Sequence, residues 1–134
     1  MGSKIFVNLA VKDLPRSIAF WKSLGYGFNA QFTDDTAACL VFGDDAYAML
    51  LTHAKFKEFS PNPVCDTARN TEVLVALSCE SKADVMEKTK KALAAGAHRY
   101  SEPKDFGFMY QDSFQDLDGH VWELFYMDEA AIPK

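Results

Sequence analysis

The sequence lacks the features of a disordered, fibrous or membrane-spanning chain. Its 134 residues include only 7 Gly and 5 Pro, while 49% are hydrophobic and 25% are charged. No apolar run approaches the roughly 20 residues that a transmembrane helix needs. A chain of this length can bury one sizeable core. We therefore expect one globular domain over residues 1–134.

Basic clusters and cysteine pairs are also missing. The net charge is −5, and no group of cations exceeds the pair Lys90 and Lys91, which is typical of the solvated face of a helix. The three cysteines, Cys39, Cys65 and Cys79, lack CxxC spacing, and no secretory signal or lipidation pattern is evident. We expect a cytoplasmic protein with neither a nucleic-acid nor a membrane partner.

The sequence predicts the same order of strands and helix twice along the chain. In the first copy, a strand over 4–11 precedes a helix with Asp13 as its cap, Pro15 in its first turn and Gly25 as its stop. The alternation and turn residues that follow predict strands over 28–33, 37–42 and 47–53. The first copy therefore has the order βαβββ.

The second copy repeats this order. A strand over 72–79 precedes a helix that starts with a Ser81/Asp84 capping box and stops at Gly96. Further strands are predicted over 98–100, 108–114 and 120–127. The sequence thus predicts an α+β fold with two tandem βαβββ modules, about 4–60 and 70–128. Since one helix covers only one face of a sheet, we expect the modules to pair as curled mixed sheets around a cavity.

Two motifs resemble a known family. The helix entry V-x-D-L-x-x-S-x-x-F (11–20) and the terminal D-G-H-x-x-E-L (118–124), in this order, are similar to the vicinal oxygen chelate superfamily. This superfamily includes glyoxalase I, extradiol dioxygenases, fosfomycin-resistance enzymes and bleomycin-resistance proteins. The resemblance extends from Ile5 to about Asp128 and implies the glyoxalase/bleomycin resistance/dioxygenase fold, commonly as a homodimer.

The resemblance also implies positions for metal ligands, one on the first and one on the last strand of each module. Phe6 and Leu74 occupy the two first-strand positions, where metal-using members carry His. The last strand of module one offers Met49 or Leu50, depending on register, in place of Glu. Only Glu123 matches a family ligand, and one carboxylate cannot hold a divalent ion with useful affinity. We therefore predict that the chain lacks a complete set of metal ligands and has no cofactor. A divalent metal would need substitute ligands such as Glu72, His53 or His120.

A cavity with these replacements would be apolar with a few polar groups. We predict a ligand pocket that contains Phe6, Asn8, Met49, Leu50, Leu74, Phe108, Tyr110 and Glu123. Glu123 could bind a ligand by hydrogen bonds or act as a general acid or base, with Tyr110 as a possible catalytic partner.

Three further segments give separate predictions. His120, beside the turn at Gly119, is predicted to be a solvated strand start. The aromatic segment around Gly107 could form a lid, and Phe56 and Phe59 predict a short helix.

Three functions follow from different classes. The first is a metal-free protein that binds a small organic, partly apolar ligand. The second is a metal-independent enzyme, such as an isomerase, that uses Glu123 as acid or base. The third is a metal-dependent lyase, dioxygenase or transferase with substitute ligands. The scarcity of metal donors favours the first, then the second, then the third.

Overall fold

The computed structural model describes residues 2–133 and confirms an α+β fold. The chain divides into two compact units, Met1–Asp66 and Thr67–Lys134. Each unit contains a mixed sheet and a helix that follows the first strand of that sheet. Within residues 2–133, no helix is long and apolar enough to cross a membrane.

The first unit contains a four-stranded sheet. Its elements are β1 (Ile5–Val11), α1 (Leu14–Ser23), β2 (Gly27–Asn29), β3 (Ala37–Val41), β4 (Ala46–Thr52) and α2 (His53–Phe59). The strand order is β1-β4-β3-β2, in which β1 and β4 are parallel and the other pairs are antiparallel. The parallel pair is made possible by the long connection through α1, β2 and β3.

The start of α1 follows the sequence prediction. The Asp13 side chain accepts a hydrogen bond from the Arg16 backbone N–H at 3.1 Å, and Pro15 lies in the first turn. Phe20 and Trp21 are almost fully buried, as are Leu9 and Leu50 in the sheet that α1 contacts. This burial defines one face of the first sheet as the helix-covered face. The side of the first sheet opposite to α1 is its open face.

The second unit repeats the arrangement. Its elements are β5 (Leu74–Ser78), α3 (Lys82–Ala94), β6 (His98–Arg99), β7 (Lys104–Asp105), β8 (Met109–Gln115) and β9 (Val121–Met127). The strand order is β5-β9-β8-β6, β5 and β9 are parallel, and β7 pairs with β8. Helix α3 packs on the face that carries Phe114, Trp122 and Leu124, all fully buried.

The cap of α3 is also confirmed. The Ser81 hydroxyl accepts a hydrogen bond from the Asp84 backbone N–H at 3.0 Å, and the Asp84 carboxylate accepts one from the Glu80 backbone N–H at 3.1 Å. Side chain and backbone thus cap the helix reciprocally, although the second donor is one residue earlier than in the standard capping box.

Two predicted strand ends are wrong. The strand over 28–33 stops at Asn29, and Ala30–Phe32 forms a 3-10 turn in which the Asn29 side chain accepts from the Gln31 N–H at 3.0 Å. His53 does not end a strand but begins α2, because Thr52 caps that helix by accepting from the Lys55 N–H at 3.2 Å. In both places a side chain competes for the backbone donors that would extend the strand.

Candidate functional site

Strand register identifies the equivalent positions of the two sheets. In the first sheet Phe6 lies beside Tyr47, and Asn8 lies beside Met49. In the second sheet Leu74 lies beside Val121, and Ala76 lies beside Glu123. The residue two positions after the partner of Phe6 is thus Met49, and the residue two positions after the partner of Leu74 is Glu123. Met49 is therefore the structural counterpart of Glu123.

This register decides between the two alternatives predicted for β4. Leu50 alternates with Met49, so its side chain lies on the opposite face of the strand. It is 1% exposed and packs with Leu9 on the helix-covered face. Leu50 is therefore core, and its predicted place in a pocket is wrong. Met49 shares the open face with Asn8.

The open face of the first sheet is apolar and partly exposed. Phe6 is 45% exposed, and its ring stacks on Tyr47 with centroids 4.7 Å apart and planes 10° apart. The Lys4 ammonium lies 5.8 Å from the Tyr47 ring centroid. The stacked pair is a flat aromatic surface beside a cation, and its one polar group, the Tyr47 hydroxyl, donates to the Asp44 carbonyl at 2.7 Å.

Helix α2 and this open face enclose a cleft. Its volume is about 460 Å³, and it is lined by Asn8, Leu51, Phe56, Phe59 and Ser60. The short helix predicted from the spacing of Phe56 and Phe59 is confirmed as α2. The cleft thus combines two aromatic rings and an aliphatic side chain with one amide and one hydroxyl, a composition suited to a small, partly apolar molecule.

The second sheet also has an open face, the side opposite to α3, and it carries the carboxylate of Glu123. This residue is half-buried, and its Oε2 accepts a hydrogen bond from Gln111 Nε2 at 2.8 Å. Leu74, Ala76 and Ser78 of the neighbouring β5 are exposed on the same face. Gln111 was not predicted as a site residue. Its position follows from alternation along β8, since Ser113 lies opposite Glu123 and Gln111 is two residues away.

Tyr110 does not lie beside Glu123, so its predicted catalytic partnership with that carboxylate is wrong. Tyr110 alternates with Gln111 on β8 and therefore lies on the face that α3 covers. The Lys82 ammonium at the start of α3 lies 4.8 Å from the Tyr110 ring centroid. The physical reason is the two-residue period of a strand, which separates neighbouring side chains onto opposite faces.

The aromatic segment before β8 is a β-hairpin. Strands β7 and β8 pair, and the Phe106 N–H donates to the Met109 carbonyl at 2.8 Å across the turn. Gly107 has φ +82°, the conformation that the turn requires. Phe108 is half-buried, with its ring centroid 6.4 Å from that of Phe106. Backbone pairing fixes the segment as a turn, and no described contact joins Phe108 to Glu123.

His120 is not solvated, contrary to the prediction. It is 6% exposed, and its Nδ1 lies 2.8 Å from Glu72 Oε1, so the ring donates to this carboxylate. Glu72 and His120 are therefore bound to each other. Within residues 2–133, no three His, Cys, Asp or Glu side chains converge in a way that could hold a metal ion.

Asp116 is a buried carboxylate that sequence reasoning treated only as part of a turn. Its Oδ1 accepts from the backbone N–H groups of Asp118 at 2.9 Å and His120 at 3.1 Å, and its Oδ2 accepts from Trp122 Nε1 at 2.8 Å. Burial raises the pKa of Asp116, while the charge of His120 and the N–H donors of Trp122 and Asp118 act against that rise. The carboxylate fixes the turn that leads into β9 and thereby positions the strand that carries Glu123.

Comparison with known families agrees with this architecture. A model of the Glyoxalase/Bleomycin resistance protein/Dioxygenase superfamily matches residues 5–124. The chain belongs to this superfamily. The match covers both units and confirms the resemblance drawn from the two sequence motifs. No curated protein sequence matches the chain.

Solved structures of the same superfamily and of unassigned proteins share the fold. A hypothetical protein, SA1046, from S. aureus is 26% identical, with a TM-score of 0.80 over 94% of this chain and 95% of that one. A family enzyme from Burkholderia phytofirmans is 17% identical, with a TM-score of 0.76 over 94% and 99%. The fosfomycin resistance protein FosX from Listeria monocytogenes is 18% identical, with a TM-score of 0.68 over 100% and 95%.

Proposed function

We propose that this superfamily member binds a small organic ligand with an apolar, partly aromatic body. The observation that carries the proposal is the cleft beside α2, whose volume of about 460 Å³ suits a small molecule. Phe56 and Phe59 would pack against the ligand body, and the Asn8 amide would orient it. Phe6 and Met49 extend the same face with further apolar surface.

The residues present do not fit the divalent metal that the superfamily resemblance implies. The positions equivalent to family ligands are Phe6, Met49, Leu74 and Glu123, so only one of the four supplies a donor that can bind a hard or borderline cation. Glu72 and His120 are already paired with each other. We propose that the site is incomplete for metal, and no step of the function is routed through one.

The binding proposal is tested with 1-naphthol, a neutral aromatic probe with one hydroxyl. Amide chemical shifts of the isotope-labelled protein should change at β1, β4 and α2 in a saturable way. Phe56→Ala should raise the Kd about five- to tenfold, because one aromatic contact of roughly 1 kcal/mol is lost. Phe32→Ala is the matched control, since Phe32 is 56% exposed and does not line the cleft. Equal affinity of the two variants, or shifts that never saturate, would contradict the proposal.

A metal-independent enzyme that uses Glu123 is the second candidate. The observation in its favour is the Gln111–Glu123 hydrogen bond of 2.8 Å, which holds the carboxylate on an open face. Glu123→Gln separates the two functions. A binder of 1-naphthol through the α2 cleft should keep its affinity, whereas an enzyme that needs the carboxylate as acid or base should lose turnover by about a hundredfold or more.

A metal-dependent enzyme is tested directly by metal analysis. Plasma mass spectrometry of the purified protein, with thermal-shift titrations of Ni²⁺, Zn²⁺, Mn²⁺ and Fe²⁺, should show neither stoichiometric metal nor a saturable shift. A shift that Glu123→Gln abolishes would place Glu123 in a metal site and overturn the proposed incomplete site. Lyase or dioxygenase chemistry would then become the leading candidate.

We also propose a cytoplasmic homodimer. The support is the apolar surface that the single chain leaves exposed: Ile5 is 60% exposed, Phe6 45% and Leu74 52%. Sedimentation equilibrium should give twice the mass of the chain. A monomer at concentrations well above those in a cell would refute the dimer without affecting the ligand-binding proposal.

A further inference from the structure

The second unit has a second cleft, on the side of its sheet opposite to Glu123. It lies between α3 and β8 and has a volume of about 420 Å³. Its apolar lining is Met86 and Leu93 of α3 together with Pro103, and Tyr110 of β8 contributes an aromatic ring. Because β8 side chains alternate, this cleft is separate from the face that carries Glu123.

Arg99 supplies N–H donors at this cleft. One of them, Nη1, donates to the buried carboxylate of Asp112 at 2.5 Å. A guanidinium has five N–H groups in a fixed fork. Within residues 2–133 the structure records no second hydrogen-bond acceptor for Arg99, whose side chain is 36% exposed. The negative charge of Glu102 adds to that of Asp112 in raising the pKa of Arg99. Asp112 thus anchors the guanidinium and compensates its charge in part, while further donors stay available to a ligand.

Lys90 supplies a second cation. Three other lysines of α3 have carboxylate partners: Lys82 with Asp105 at 3.0 Å, Lys88 with Asp84 at 3.2 Å and Lys91 with Glu87 at 3.9 Å. Lys90 lines the cleft, is exposed, and has no ion pair recorded in the described part of the chain.

We propose that the α3–β8 cleft binds a small amphipathic carboxylate. The carboxylate would accept hydrogen bonds from Arg99 and Lys90, while its apolar body packs on Met86, Leu93 and Pro103. A cationic ligand fits less well, because Asp112 is already paired with Arg99 and the Lys82 ammonium lies over the Tyr110 ring.

The test compares 2-naphthoate with its neutral analogue 2-naphthamide. We expect 2-naphthoate to shift the backbone amides of α3, Arg99 and β8 in a saturable titration, and to bind at least threefold more tightly than 2-naphthamide. Lys90→Gln should raise the Kd of 2-naphthoate about three- to fivefold, as the loss of one partly exposed charge contact implies. Added NaCl should weaken the binding of 2-naphthoate and leave 2-naphthamide unchanged.

Lys91→Gln is the matched control, since Lys91 is the adjacent lysine and does not line the cleft. It should leave the Kd within about 1.5-fold of the parent. Equal effects of Lys90→Gln and Lys91→Gln would reduce the interaction to general electrostatics and overturn the proposal. So would shifts confined to β1, β4 and α2, equal affinities for the two probes, or no saturation by 2-naphthoate at millimolar concentration.

Discussion

Replacing Asp116 with Asn should destabilise the protein through one specific contact, the hydrogen bond from Trp122 Nε1. The carboxylate accepts three N–H donors through its two oxygens, and the residue is 7% exposed. An Asn side chain has one oxygen and one NH₂ group. If the Asn oxygen accepts from the two backbone N–H groups, its NH₂ group faces the Trp122 N–H, and two donors meet without an acceptor. If the amide is flipped, the NH₂ group faces the two backbone N–H groups instead.

The magnitude follows from these contacts. A hydrogen bond to a charged group contributes about 1.5–3 kcal/mol, and a buried donor without an acceptor costs about 1–3 kcal/mol. We therefore expect Asp116→Asn to lower the free energy of unfolding by about 2–4 kcal/mol. In a Trp122→Phe background the opposing donor is absent, so the same change should cost about 1–2 kcal/mol less.

Urea unfolding near pH 7, followed by circular dichroism, measures the four corners of this double-mutant cycle. A positive coupling of about 1–2 kcal/mol is expected between Asp116 and Trp122. Strict additivity, with a coupling below roughly 0.5 kcal/mol, would refute the role assigned to the hydrogen bond. Asp116→Asn without any loss of stability would refute the role assigned to the carboxylate.

Two further predictions concern the turn before β9 and the thiols. Gly119→Ala should destabilise the protein by several kcal/mol, because its Cβ would lie 2.7 Å from Thr67 Oγ1 at φ +84°. Gly107→Ala, at φ +82° with nothing within 4 Å, should cost only about 1–2 kcal/mol in thermal unfolding; equal losses would exclude the clash as the cause. Burial raises the pKa of Cys79 to about 11, so iodoacetamide near pH 8 should label the half-buried Cys65 first. Mass spectrometry that finds Cys79 labelled as fast as Cys65 in the native protein would contradict this burial.

The fold could be predicted from the sequence where local signals agree with tertiary packing. The helix boundaries are local signals. Helix α1 lies between the cap at Asp13 and the stop at Gly25, and α3 lies between the cap at Ser81 and the stop at Gly96. The strand over 28–33 fails because the Asn29 side chain takes a backbone donor after only three strand residues. Such competition depends on side-chain geometry that alternation of apolar residues does not reveal.

The candidate site could be predicted only in part. The position of Glu123 follows from the superfamily motif. Strand alternation excludes Tyr110 as its neighbour, although the interpretation of the segment around Gly107 as a lid had suggested it. The pairing of Glu72 with His120 joins residues 48 positions apart in the chain. No local pattern announces such a contact, because it depends on the parallel pairing of β5 with β9.

The buried network around Asp116 changes what the D-G-H-x-x-E string can be used to diagnose. Two of its four fixed letters have architectural roles: Gly119 fits against Thr67, and His120 is bound to Glu72. The tryptophan at one of its variable positions is held by Asp116. Selection for folding alone would preserve these letters in a protein that had exchanged one chemistry for another. A genome survey that uses the string as a marker of metal enzymes would therefore detect the fold rather than the chemistry. The residues at the Phe6, Met49 and Leu74 positions would be the better guide to reactivity.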